Sequence, residues 1–262
     1  MNNKNIGVFD SGMGGLTVLS ELRRVLPQES FIYLGDTARL PYGTKSRETV
    51  KAYAVQMARQ LVERNLKALV IACNTATTAA LDFLTEALPD VLVVGVVKPG
   101  AKAAVQYAKA HHRIAVLATE TTVNSGAYQH HINELADNFS IKARACPLLV
   151  ALAEEGMNDN AIARLTLEHY LQGLTDSDSI LLGCTHFPVF KPLLQQLLPN
   201  ITIVDSAFET AKVVCDELKS RGLLRQHKPM TQFLVTDSVE RFKKVGSLFL
   251  GHSLDDFPVT LI

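Results

Sequence analysis

The chain has 262 residues, 47% of them hydrophobic and 20% charged, which suits a soluble globular protein with room for two modest α/β domains or one large one. Lys+Arg and Asp+Glu both number 26, so no basic stripe recommends nucleic acid and no acidic tail suggests disorder. No apolar run has the length of a signal-peptide core or a membrane span; the expected ligand is a small molecule, the expected compartment the cytoplasm.

Short apolar runs alternate with longer helical patterns, the signature of βαβ units and parallel sheet. Strands are predicted at Ile6–Phe9, Phe31–Leu34, Ala68–Ala72, Val91–Val94, Ile114–Ala118, Ser140–Ala143, Ile180–Leu182 and Ile201–Val204. Between them, apolar residues recur at three and four spacings, as in Leu16–Val25 and Thr49–Glu63. A last unit, strand Gln232–Val235 and helix Val239–Leu250, closes the chain.

The halves of the chain repeat one design. "LVIACNTATTAAL" (Leu69–Leu81) and "ILLGCTHFPVFKPLL" (Ile180–Leu194) each read as apolar strand, cysteine, polar residues, helix. Each half also opens on a strand ending in polar residues, "IGVFDSGMGG" and "IAVLATETTVNSG". Two similar lobes face to face would bring Cys73 and Cys184 to one cleft, at the carboxyl ends of strands where open α/β sheets bind ligands.

A lone cysteine is readily explained as a small buried hydrophobe. Two in matched elbows, followed by Asn74 and Thr75 in one and by Thr185 and His186 in the other, point to chemistry. A helix N-terminus favours anions and lowers a thiol pKa from about 8.5. Cys146 and Cys215 read as packing. No CxxC pair exists and the four cysteines are too scattered for a disulfide framework.

Asp10 and Ser11 end the first strand before "GMGGLT", which lacks the third glycine of a dinucleotide fingerprint. The glycines fit equally a backbone that approaches a carboxylate, and Asp10 reads either as a site residue or as a plain N-cap. His186 reads as a proton partner for Cys184. Of the neighbours Glu154 and Glu155, spacing does not say which faces a cleft. His111–His112 and His130–His131 read as surface pairs, since sequence neighbours do not share a helix face. No metal-ligand spacing, GxSxG elbow or GxxxxGK[ST] loop occurs. The expectation is no metal and no cofactor.

Taken together, "GVFDSGMGGLTV" (Gly7–Val18), "GDTARLPYGTKS" (Gly35–Ser46), "ACNTAT" (Ala72–Thr77) and "GCTHFP" (Gly183–Pro188) resemble the glutamate racemases of the aspartate/glutamate racemase superfamily. The resemblance runs nearly the whole chain, through "TETTVNSGAY" (Thr119–Tyr128), "CPLLVALAEEG" (Cys146–Gly156), "IVDSA" (Ile203–Ala207) and "FLVTDSVERF" (Phe233–Phe242). It implies an α/β fold of two similar lobes with mainly parallel sheets and the active site between them. The first lobe would span 1–97 plus 208–262 and the second 98–207.

The resemblance further implies cofactor-independent interconversion of L- and D-glutamate, supplying D-glutamate for peptidoglycan. The implied catalytic residues are Cys73, Cys184, Asp10, His186 and Glu154. Implied substrate contacts, besides Asp10 and Cys73, are Ser11, Pro41, Tyr42, Gly43, Asn74, Thr75, Thr119, Thr122, Thr185 and His186. The chain departs from the family pattern at Ala118, Ala151 and Phe187, where Gly, Pro and Tyr are usual. It also starts almost at its first strand, without the extension of members activated by a peptidoglycan precursor, so that regulation is not expected. An aspartate or hydantoin racemase on the same plan is the neighbouring alternative, and an amino-acid-binding protein without turnover the alternative from another class. A homodimer is compatible with the sequence.

Overall fold

The computed structural model describes residues 3–108, 111–224 and 229–262. In chain order the elements begin β1 (Asn5–Asp10), α1 (Leu16–Val25), β2 (Phe31–Gly35), α2 (Arg47–Val62), β3 (Leu66–Ile71), α3 (Asn74–Ala87) and β4 (Leu92–Gly95). They continue with α4 (Val97–Tyr107), β5 (Arg113–Ala118), α5 (Glu120–Asn124), α6 (Ala127–Leu135), β6 (Ser140–Ala145), α7 (Pro147–Glu154) and α8 (Ala161–Leu171). The remainder is β7 (Ser179–Gly183), α9 (Lys191–Leu197), β8 (Thr202–Asp205), α10 (Ala207–Ser220), β9 (Thr231–Val235), α11 (Val239–Leu250) and β10 (Val259–Leu261).

The strands form two sheets, ordered β10-β9-β2-β1-β3-β4 and β6-β5-β7-β8, and every pairing is parallel. The repeat read in the sequence is therefore topological: β2-β1-β3-β4 of the first lobe matches β6-β5-β7-β8 of the second. Buried on both faces, β1, β2, β3 and β7 are almost wholly solvent-excluded, which explains their unbroken apolar character. The edge strand β6 instead carries Lys142 and Arg144 and is half exposed, a composition that blocks further pairing.

All the expected strands form, with ends shifted by a residue or two. Strand β10 was not foreseen: "VTL" is too short to carry a period, and it exists because β9 offers it a parallel edge. Helix α2 starts at Arg47 rather than Thr49 because Ser46 caps it, its Oγ accepting from the Thr49 N–H at 3.2 Å.

The chain crosses between sheets twice, through α4 and through α10. One continuous apolar core joins the lobes, running from Ile6, Val8, Leu19 and Val70 to Leu117, Leu182, Phe187 and Ala211. Among the described residues no helix is long and apolar enough to cross a membrane.

The end of β2 meets the loop after β1 at closest approach. A Cβ on Gly35 would lie 2.5 Å from the Gly12 carbonyl oxygen, the same carbonyl that accepts from Tyr33 Oη at 2.9 Å. Gly35→Ala is accordingly expected to lower unfolding free energy by about 1–3 kcal/mol, the usual cost of overpacking, measured by urea denaturation. An unchanged midpoint would show that the Gly12 loop yields freely.

Candidate active site

Every strand of a parallel sheet delivers its C-terminal residue to the same edge, and four such ends build this site. β1 delivers Asp10 and Ser11, β3 delivers Cys73, β5 delivers Thr119 and β7 delivers Cys184. The matched topology makes these two pairs of equivalent positions.

Cys73 is the N-cap of α3, its Sγ accepting from the Ala76 N–H at 3.4 Å and its thiol donating to Ser11 Oγ at 3.5 Å. The expected lowering of this thiol's pKa does not occur. Burial pushes it up to about 12, and the Asp10 carboxylate adds to that, against the Ala76 and Ser11 hydrogen bonds. Desolvation outweighs the helix terminus because the sulfur is almost sealed from water.

The second elbow differs from the first. After Cys184 comes a 3-10 turn, Phe187–Phe190, and then a helix of only seven residues, so the matched strand-to-helix geometry expected of both cysteines holds only at Cys73. Pro188 has no N–H to offer, and the turn takes the place of a first α-helical turn. His186 substitutes as a partner: its Nδ1 lies 3.8 Å from Cys184 Sγ and its Nε2 lies 2.9 Å from Glu154 Oε1. Burial of the imidazole opposes its charge, yet the Cys184 and Glu154 partners prevail and raise its pKa to about 10.

The choice between the acids is settled by α7. Glu154 turns inward to His186, whereas Glu155 is exposed and pairs with Arg241 at 2.9 Å. Arg241 Nη2 also donates to the Glu154 carbonyl at 3.3 Å.

Asp10 is fully buried and is not an N-cap, since α1 is capped at Gly15 without a side chain. Its carboxylate accepts from the Gly12 N–H at 3.0 Å and from Thr185 Oγ1 at 3.2 Å. Burial raises its pKa, against the His186 charge and the Gly15, Gly12 and Thr185 donors. The glycines serve close packing. A Cβ on Gly14 would stand 2.6 Å from both His186 Nδ1 and Thr185 Oγ1, and one on Gly15 would stand 2.5 Å from Asp10 Cβ.

Three threonine hydroxyls meet where the lobes touch. Thr75 Oγ1 lies 2.8 Å from Thr119 Oγ1 and 3.2 Å from Thr122 Oγ1, and Thr119 and Thr122 are 3.0 Å apart. Beside them the turn Tyr42–Thr44 is fixed from both sides. Tyr42 Oη donates to the buried Asp36 carboxylate, which also pairs with Arg39 at 2.7 Å. Thr121 Oγ1 bonds to the carbonyls of Gly43 and Lys45 at 3.0 and 2.9 Å. Tyr42 and Gly43 are buried, but Pro41, expected among the substrate contacts, is exposed and follows a cis peptide bond.

Sequence reasoning passed over Arg241 and Tyr128, whose phenol donates to Asn74 Oδ1 at 2.5 Å. Their signals were an exposed arginine and a helical aromatic, neither distinctive without the fold. The surface pair His130–His131 also proves less simple. Both rings reach Glu134, at 3.3 and 2.8 Å, forming an exposed cluster of ligand-type groups. A groove of about 690 Å³ runs beside that cluster, lined from both lobes by Lys45, Arg47, Thr77, Thr121 and His131 and touching neither thiol.

The Asp/Glu/hydantoin racemase family profile matches residues 7–214. The chain belongs to that family. It is 46% identical over 258 residues to a glutamate racemase of Geobacter metallireducens, covering 97% of this chain and 95% of that one. The fold is similar to a glutamate racemase isoform of Bacillus anthracis, with TM-score 0.94, 38% identity and coverage of 100% and 98%. It is also similar to a Francisella tularensis glutamate racemase solved with D-glutamate, with TM-score 0.92, 35% identity and coverage of 100% and 98%.

The His186 environment has a consequence for stability. The folded protein holds the His186 proton to about pH 10, against about 6.5 for an unfolded histidine. Its contribution is therefore complete below pH 6.5 and lost as pH rises toward 10. The urea midpoint should fall between pH 7 and 9, and His186→Asn should flatten that fall. A residual decline above about pH 9 should persist in the variant, because Cys73 likewise holds its proton to about 12. An equal slope in both proteins over pH 7–9 contradicts the assignment.

Proposed function

We propose that this protein interconverts L- and D-glutamate by moving a proton between two thiols, without a cofactor, and that it supplies D-glutamate for peptidoglycan. The observation that carries the reading is a pair of buried cysteines at equivalent strand ends of two topologically matched lobes. Family membership and glutamate racemases among the relatives support the substrate. In this reading the lobes span 1–97 plus 208–262 and 98–207, with the amino acid between them.

Racemisation removes the α-proton on one face and returns a proton on the other. One group on each face does this without turning the intermediate over, each within about 3 Å of the proton it handles. One thiol must be deprotonated while the other carries its proton. Cys73, with its raised pKa, is the proton-bearing partner in the resting protein. At Cys184 the Glu154–His186 pair acts as an orienting couple: Nε2–H donates to Glu154, which leaves Nδ1 to take the thiol proton. With L-glutamate Cys184 is the base and Cys73 the acid. The reverse protonation serves D-glutamate.

The α-hydrogen of an amino acid is a weak acid, and the charge that develops at its carboxylate needs preorganised donors. Asn74, Thr75, Thr119, Thr122 and Thr185 are buried hydroxyls and an amide suited to that task, with Ser11 and the Tyr42–Gly43 backbone beside them. The threonine hydroxyls bond to one another here and would exchange those bonds for the substrate's oxygens.

Two measurements test this reading. Purified protein dialysed against EDTA should racemise L-glutamate by circular dichroism and favour it over aspartate in kcat/KM by at least about 10-fold. That factor corresponds to one donor left unpaired by the shorter acid, about 1–3 kcal/mol. Comparable kcat/KM for the two acids would point to the broader racemase alternative, and no turnover of either to a binding protein.

In D₂O, Cys73→Ala should stop racemisation yet still place α-deuterium into L-glutamate in preference to D-glutamate. Cys184→Ala should do the reverse, each surviving thiol exchanging on its own face. Racemisation at near the parental rate in either variant rules out the two-thiol assignment.

A further inference from the structure

Asn74 follows Cys73 at the start of α3 and is 2% exposed. Its Oδ1 accepts from Tyr128 Oη at 2.5 Å, a bond that crosses from α6 of the second lobe to α3 of the first. Its Nδ2 has no hydrogen-bond partner among the described residues. A buried amide donor without a partner is costly, and a ligand that completes it is one way a native structure accounts for such a group.

Tyr128 is itself completely buried, and the backbone makes room for it. A Cβ on Gly183 would lie 2.7 Å from Tyr128 Cε2, and one on Gly100 would lie 3.2 Å from its hydroxyl. Gly183 directly precedes Cys184, so one ring rests on the strand end carrying the second thiol while its hydroxyl holds the residue after the first. Burial keeps the phenol protonated, so its hydroxyl is available as a donor, and the carboxamide oxygen faces it.

We propose that Tyr128 is a positioning residue: its hydroxyl, bonded to Asn74 Oδ1 across the lobe seam, fixes the carboxamide so that Nδ2 stands as a donor to a substrate carboxylate beside Cys73. The substrate part of this statement rests on the glutamate reading above. Because the bond spans the lobes, the donor is correctly aimed only when the lobes are together, which couples closure to substrate recognition.

Tyr128→Phe removes the hydroxyl and keeps the ring between the two glycines, so the fold should persist. Parent, Tyr128→Phe, Asn74→Ala and the double variant are compared in kcat/KM for both enantiomers. Tyr128→Phe should lose at least fivefold, chiefly through KM, because the carboxylate it serves is already charged in the ground state. Asn74→Ala should lose more, and the double variant should match Asn74→Ala within twofold, since no amide remains to be aimed. A merely structural tyrosine would instead multiply the two losses, and multiplication, or a Tyr128→Phe loss below twofold, overturns the proposal.

The Asn74 side-chain amide resonance in ¹⁵N-labelled protein, identified by its absence in Asn74→Ala, gives an independent reading. It should shift in Tyr128→Phe, and an unmoved signal overturns the proposal. If the parent fails to turn over glutamate, the substrate reading alone falls, and this signal still decides whether Tyr128 orients Asn74.

Discussion

A buried carboxylate ties the two halves of this protein together. Asp10 ends the first strand, sits wholly out of water, and accepts hydrogen bonds from its own glycine loop and from Thr185 of the opposite lobe. Burial raises the pKa of a carboxyl in such a place, and donors and opposite charge around it hold that rise down. The backbone N–H groups, the Thr185 hydroxyl and the His186 charge supply them. The glycines at 14 and 15 are consequences of the same contact, because any side chain there would strike His186, Thr185 or Asp10 itself.

The asymmetry of the thiols follows from what surrounds that carboxylate. Cys73 has a helix N-terminus, ordinarily an activating position, but it is desolvated and near a negative charge, so its proton is held. Cys184 has no helix terminus and has an imidazole instead, aligned by Glu154 and packed edge-on against Phe249. Matched topology has thus been fitted with unmatched chemistry.

The site is closed in this state, with Cys73 and Cys184 buried and the threonine hydroxyls satisfied by one another. The seam between the two sheets is held where Tyr128 meets Asn74 and Thr121 meets the Gly43 turn. Both contacts join residues far apart in sequence.

The sequence by itself determined the parallel α/β character, the order of its strands along the chain and the equivalent strand-end places of Cys73 and Cys184. Short unbroken apolar runs alternating with helical periods read as strands covered on both faces, and strand, cysteine and polar residues recur in the same order at Leu69–Thr75 and Ile180–His186. Tertiary structure alone decided which of Glu154 and Glu155 turns inward, since adjacent helical residues differ only in what lies opposite each. It alone made β10 a strand, because three residues acquire that state from a neighbour's edge. It reversed the expected direction of the Cys73 pKa, because burial is a property of the packed whole while the helix terminus is visible locally. It also joined Tyr128 to Asn74, a contact between residues 54 positions apart, for which no local pattern exists.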